Sequence, residues 1–67
     1  MSVARVTEII SSSKKSFEDA VEKGIARAVK TLKNVEGAWV KEQKVVVKNG
    51  KISEDRVDLK VTFILVD

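Results

Sequence analysis

No cysteine, histidine or tyrosine occurs among the 67 residues. The missing thiols exclude disulfides and thiolate metal sites. The missing imidazole removes the commonest metal ligand and the commonest general base. Ser11, Ser12 and Ser13 therefore stand together without a partner to activate a nucleophile. Glycine is scarce, with three in the chain and no G-x-G-x-x-G pattern. A phosphate loop would want glycines and a Lys-Ser/Thr pair after the serines, so the serine run reads as a polar connection. The carboxylate pairs Glu18-Asp19 and Glu54-Asp55 are adjacent in sequence. In an extended strand such neighbours point to opposite faces, so they read as surface charge. The expectation is that the chain is not an enzyme. No apolar run is long enough to span a bilayer, and the N-terminus lacks a signal-peptide core. A cytoplasmic protein with no membrane partner is expected.

The 43% apolar and 34% charged residues fit a small folded unit with a well-solvated surface, not a disordered tail. One domain, residues 1–67, is the expectation. A domain of this size buries only about 60% of the surface its unfolded chain exposes. Without disulfides, the remaining supports are self-association and an oxygen-ligand site for a hard cation. The net charge of +3 is small and spread along the chain, so it does not by itself call for nucleic acid.

Residues 3–10 are rich in β-branched side chains and read as a strand. From Ser16 to about Lys33, Phe17, Ala20, Val21, Gly24, Ile25, Ala28, Val29 and Leu32 recur in steps of three and four, the apolar face of a helix. Ser16 suits the N-cap, with Asp19 three residues on as in a capping box. Gly24 inside the apolar face costs helix propensity and implies a close approach by another segment. Lys23, Arg27, Lys30 and Lys33 form a basic stripe without interleaved aromatics, which reads as a solvated face.

Residues 38–48 and 51–66 read as two further strands joined by Asn49-Gly50, a type I′ hairpin signal. A two-residue loop pairs Lys48 with Lys51. Carried outward, the register pairs Gln43 with Arg56, Lys41 with Asp58, Val40 with Leu59 and Trp39 with Lys60. Val57, Leu59, Val61, Phe63 and Leu65 then share a face packed on the helix, joined by Ala38, Val40 and Val46. The other face carries Trp39, Lys41, Gln43 and Val45, with Ile52, Ile64 and Val66, and no second helix covers it. Such a half-apolar face is a candidate subunit interface, and the long last strand is an exposed edge unless a partner covers it.

Several strings, in this order and in a chain of this length, resemble the dodecin family. They are Arg5-Val6-Thr7-Glu8-Ile9-Ile10, Ser11-Ser12-Ser13, Ser16-Phe17-Glu18-Asp19-Ala20-Val21, the stretch Ala28 to Asn34, Val40-Lys41-Glu42-Gln43, and the stretch Val57 to Phe63. The resemblance implies an α+β, β-α-β-β fold, with a three-stranded antiparallel sheet wrapped around one helix. It also implies a hollow homododecamer that binds flavins (FMN, riboflavin or FAD) for storage or sequestration.

Carried over residue by residue, the family's stacking tryptophan falls at Gly37, followed by Ala38 where an aromatic is usual. Its flavin-contacting glutamine falls at Arg56. Gln43 and the basic Lys44 after it match the family pattern. Trp39, two residues beyond Gly37, stays on the same strand face. It either lines a shifted pocket or serves as an interface residue. Arg56 either holds an anionic group or pairs with Glu54 or Asp58. The site expected from the resemblance is therefore Gly37, Trp39, Gln43, Lys44 and Arg56. A dodecin-like branch that also lacks the aromatic and has arginine at the glutamine position is associated with calcium. Here Glu42, Glu54 and Asp58 are the available oxygen ligands, without the spacing of a calcium loop. Calcium, an anionic nucleotide-like ligand and a purely structural shell stay open beside flavin, with a nucleic-acid module as a remote alternative.

Overall fold

The structure, a computed structural model, describes residues 2–65. The elements run β1 (Ala4–Ser13), α1 (Phe17–Thr31), β2 (Val35–Lys48) and β3 (Lys51–Ile64). The three strands form one antiparallel sheet in the order β1-β3-β2, with α1 on one face. The β-α-β-β architecture expected from the sequence is therefore present. Val66, assigned above to the last strand, lies outside the described residues.

Ser16 caps α1 as its extended backbone and hydroxyl suggest, accepting the Asp19 N–H at 3.0 Å. The reciprocal half of the capping box is replaced. The Asp19 carboxylate instead accepts the Ser13 hydroxyl and pairs with Lys23 at 3.1 Å. The Ser13 oxygen in turn accepts the Lys15 N–H. This use of Ser13 corrects the reading of the serines as a connection. β1 runs through all three, with Ser11, Ser12 and Ser13 facing Val57, Arg56 and Asp55. Small hydroxyl side chains fit here because α1 begins directly after the strand and lies close against it.

That closeness is visible at Gly24. A β-carbon there would lie 2.9 Å from Leu59 Cδ1 and 3.1 Å from Ser11 Cβ. Ala20, Gly24 and Ala28, one helical turn apart, are the buried residues of α1. They rest on Val57, Leu59 and Val61, which are fully buried in the centre of the sheet. The helix thus sits over β1 and β3. On the β2 side, Val21, Ile25, Val29, Ala38 and Val40 border an open groove of about 390 Å³. Val29 and Val40 are about half exposed there, so the expected packing of Val40 and Ala38 against the helix is not realised within one chain.

Asn49 and Gly50 both have positive φ, as a type I′ turn needs, and Lys48 faces Lys51. Three register shifts then interrupt the β2–β3 ladder. Val47 faces Ile52 but Val46 faces Glu54, so Ser53 is an extra residue. Val40 faces Leu59 but Glu42 faces Asp58, so Lys41 is extra. A third shift leaves Glu36 unpaired. Between the first two, the expected register is wrong by one residue. Gln43 pairs with Val57, not Arg56, and Glu42 rather than Lys41 faces Asp58. The faces of that stretch exchange, because a one-residue slip turns every side chain over. Val45 joins the helix-side face and Val46 leaves it. Outside the bulges, the expected pairs Val40–Leu59 and Trp39–Lys60 are present.

The last strand is not an edge. β3 is the central strand, paired along its length with β1 and β2, which are the two edges. Leu65 lies beyond β3, about half exposed, with its N–H bonded to the Val3 carbonyl. No helix among the described residues is long and apolar enough to cross a membrane.

Candidate functional site

The face of the sheet turned away from α1 follows from the register. It carries Glu8, Ile10 and Ser12 from β1, Lys60, Asp58, Arg56 and Glu54 from β3, and Gly37, Trp39, Glu42 and Lys44 from β2. Four of the five expected site residues are therefore on one face. Gln43 is the exception. Its partner is Val57, a core residue of the helix side, because the extra Lys41 shifts the strand by one position.

The four fall into two groups. Gly37 faces Thr62 and Trp39 faces Lys60 at one end of the hairpin. Trp39 is 62% exposed, and a β-carbon at Gly37 would meet nothing within 4 Å. With Glu36, Ala38 and Thr62 they border an open recess of about 370 Å³. Lys44 faces Arg56 further along the strands. At ~3.3 Å per residue, the five positions from Trp39 to Lys44 separate the two groups by ~15 Å. One chain brings a flat apolar side chain and a cationic pair to the same face, but not into the same recess.

Arg56 is held in place by contacts to β1 and to its own strand β3. Its Nε donates to the Ser12 hydroxyl at 3.1 Å, and one terminal nitrogen lies 2.7 Å from a Glu54 oxygen. The guanidinium holds the Glu54 carboxyl below its usual range. Pairing with Glu54 was one of the two roles expected for Arg56. Nε and one terminal nitrogen are engaged in this way, which leaves the other terminal nitrogen without a hydrogen bond among the described residues. Two cations directly opposite each other repel, which an anion between them would relieve.

The carboxylates expected as oxygen ligands do not converge. Glu42 and Asp58 face each other, while Glu54 is engaged by Arg56. Among the described residues, no three acidic side chains are placed to hold a metal ion. The described residues of one chain do not fit a calcium ion.

The sequence reading put Lys41 and Asp58 together on this face as a cross-strand pair, and missed that Glu8 of β1 joins them. Lys41, the extra residue of the β2 bulge, reaches across the central strand to Glu8, 3.5 Å away. Asp58 lies between them with a buried Oδ1 that has no hydrogen-bond partner among the described residues. The sequence carries no marker of the bulge that makes this arrangement.

The dodecin family profile matches residues 3–66. The chain belongs to the dodecin family. This is a family of small-molecule binders that form homo-oligomers. Its solved relatives match along nearly their whole length. A dodecin from Streptomyces davaonensis is 33% identical, with a TM-score of 0.92 over 98% of this chain and 97% of that one. A protein from Thermus thermophilus is 30% identical, with a TM-score of 0.92 over 100% and 98%. A calcium dodecin from Mycobacterium tuberculosis, described as a calcium-chelating antigen, is 31% identical, with a TM-score of 0.86 over 97% and 93%. The sequence matches no curated protein.

Proposed function

We propose that this dodecin, acting as one unit over residues 1–67, assembles into a homododecameric shell that holds a flavin (FMN, riboflavin or FAD) for storage or sequestration. It does not turn the ligand over, and it works in the cytoplasm. The observation that carries this reading is the sheet face itself. An exposed Trp39 beside open space at Gly37 offers a stacking platform, and Lys44 with Arg56 offers a seat for an anionic tail on the same face. The two lie in separate recesses, so the complete pocket forms where symmetry-related copies bring these faces together. The flavin site is altered, with Gly37 where the family stacks tryptophan and Arg56 where it uses glutamine.

Titrating the purified protein with riboflavin, FMN and FAD and following flavin fluorescence tests this directly. Quenching, with FMN bound more tightly than riboflavin, is expected. Trp39→Ala, at an exposed position, is expected to leave the fold intact and weaken binding. Full binding in Trp39→Ala would take the platform out of the proposal.

The cationic Lys44–Arg56 pair favours a second reading, an anionic nucleotide-like ligand such as coenzyme A in place of flavin. Calorimetry with coenzyme A and with calcium separates these ligands from flavin. Calcium heat without flavin heat would point to a metal site completed between subunits.

A further inference from the structure

Beyond the Lys44–Arg56 pair, the open face gathers charged side chains from all three strands. β1 contributes Glu8, β3 contributes Asp58 and Lys60, and β2 contributes Lys41 and Glu42. The helix packs on the opposite face and supplies none of the groups that act on Asp58. Glu8 faces Lys60 and Ile10 faces Asp58, so Glu8 and Asp58 are diagonal neighbours on adjacent strands. The bulge frees Lys41 to reach over β3 to Glu8. Beneath this bridge the Asp58 Oδ1 is buried without a partner among the described residues. A buried charged oxygen without a donor is costly. A protonated Asp58 removes that cost, since it becomes a donor, and Glu8 is the carboxylate acceptor at the diagonal position of the next strand.

We propose that Asp58 and Glu8 share one proton between β3 and β1, and that losing this proton weakens the hold of the neighbouring Lys44–Arg56 pair on an anionic ligand. The hydrogen bond to Glu8, with burial and the Glu8 charge, raises Asp58 above its ordinary 3.8. The same hydrogen bond, with Lys41 and Lys60, lowers Glu8 below its ordinary 4.5. The two values belong to the pair as a unit. Asp58, Glu42, Lys44 and Arg56 line one small recess of about 70 Å³ with Ile10 and Val57. Ionising Asp58 therefore places a negative charge beside both cations. The ligand half of the proposal rests on the function proposed above, whereas the shared proton does not.

Carboxyl-carbon NMR on the full, ligand-free chain tests the proton. Asp58 is expected to titrate above the ordinary aspartate value and Glu8 below the ordinary glutamate value, and Glu8→Gln is expected to bring Asp58 down toward 3.8. An Asp58 that titrates at or below 3.8, or that does not move in Glu8→Gln, overturns the shared proton. FMN titrations across the same pH range test the coupling. Affinity is expected to fall by about two- to fivefold as Asp58 ionises, the worth of one partly exposed ion contact. Asp58→Asn keeps the shape and the donor toward Glu8 and is expected to lose that fall, retaining only the pH response of the FMN phosphate. The same pH dependence in both proteins overturns the coupling. Absence of FMN binding at every pH overturns the coupling together with the flavin reading, and the NMR result then stands alone.

Discussion

At the scale of single residues, the proposed flavin site turns on Gly37 and Trp39. Gly37 has an ordinary backbone and free space where a side chain would go, so nothing in the fold demands glycine there. Restoring an aromatic should therefore cost little. A stacked aromatic pair adds about 0.5–1.5 kcal/mol beyond area burial. Gly37→Trp is expected to tighten riboflavin binding by about 2- to 12-fold, read from fluorescence quenching. Unchanged affinity would place the stacking position elsewhere on the sheet. Arg56 makes a different point. Its contacts to Ser12 and Glu54 fix the guanidinium, so in the proposed site the side chain would give up little rotamer freedom on meeting an anion.

At the scale of elements, the helix decides how the sheet is used. Its buried turn of Ala20, Gly24 and Ala28 lets it press against β1 and β3. Gly24→Ala gains about 1 kcal/mol of helix propensity. It also drives a methyl group into Leu59 and Ser11, and overpacking of this kind costs about 1–3 kcal/mol. A net loss of up to about 2 kcal/mol in urea unfolding is expected, and a gain would mean that the helix can lift from the sheet freely. At the start of the same helix, the Ser13 hydroxyl and Lys23 hold Asp19 below its ordinary 3.8. A carboxylate with a depressed folded value stabilises above its unfolded value, and that stabilisation is lost as pH falls through the folded one. Unfolding midpoints are expected to drop below pH 3.8, and the drop should be smaller in Asp19→Asn.

At the scale of the whole molecule, the lengths do not match. α1 spans ~22 Å and the β2–β3 hairpin ~46 Å. The molecule is accordingly 50 × 19 × 14 Å, an elongated hairpin with a helix over part of it. Val45, Val47 and Ile52 on the overhanging arm are exposed, as are Ile10 and Trp39 on the open face. The buried core, by contrast, is Ala20, Ala28, Val57, Leu59 and Val61. So small a core gives a marginal chain on its own, and in the proposed shell burying the exposed positions against further copies would supply the missing area. The thermal midpoint is expected to rise with protein concentration, and native mass spectrometry is expected to show about 89 kDa for twelve copies of the 7.4 kDa chain. A concentration-independent midpoint with a single 7.4 kDa species would remove the shell.

Sequence alone determined the elements and their type. The period of the apolar residues marked α1, Ser16 marked its start, and Asn49-Gly50 marked the hairpin, because each is a local preference written in a few neighbouring residues. It also determined the two ends of the β2–β3 register, at Lys48–Lys51 and at Trp39–Lys60. Only the tertiary structure decided what lies between. A bulge depends on how two strands bend against a third element, and Ser53 and Lys41 carry no local sign of being the extra residues. That one-residue offset sent Gln43 to the helix side and set Lys44 opposite Arg56, so the place of Trp39 on the open face came from pattern and the Lys44–Arg56 pairing came from the fold. The same holds for the central place of β3 and for Asp58. Which strand β1 chooses, and which carboxyl is left under a neighbour's ion pair, are set by contacts between residues some fifty positions apart. No short window of sequence contains them.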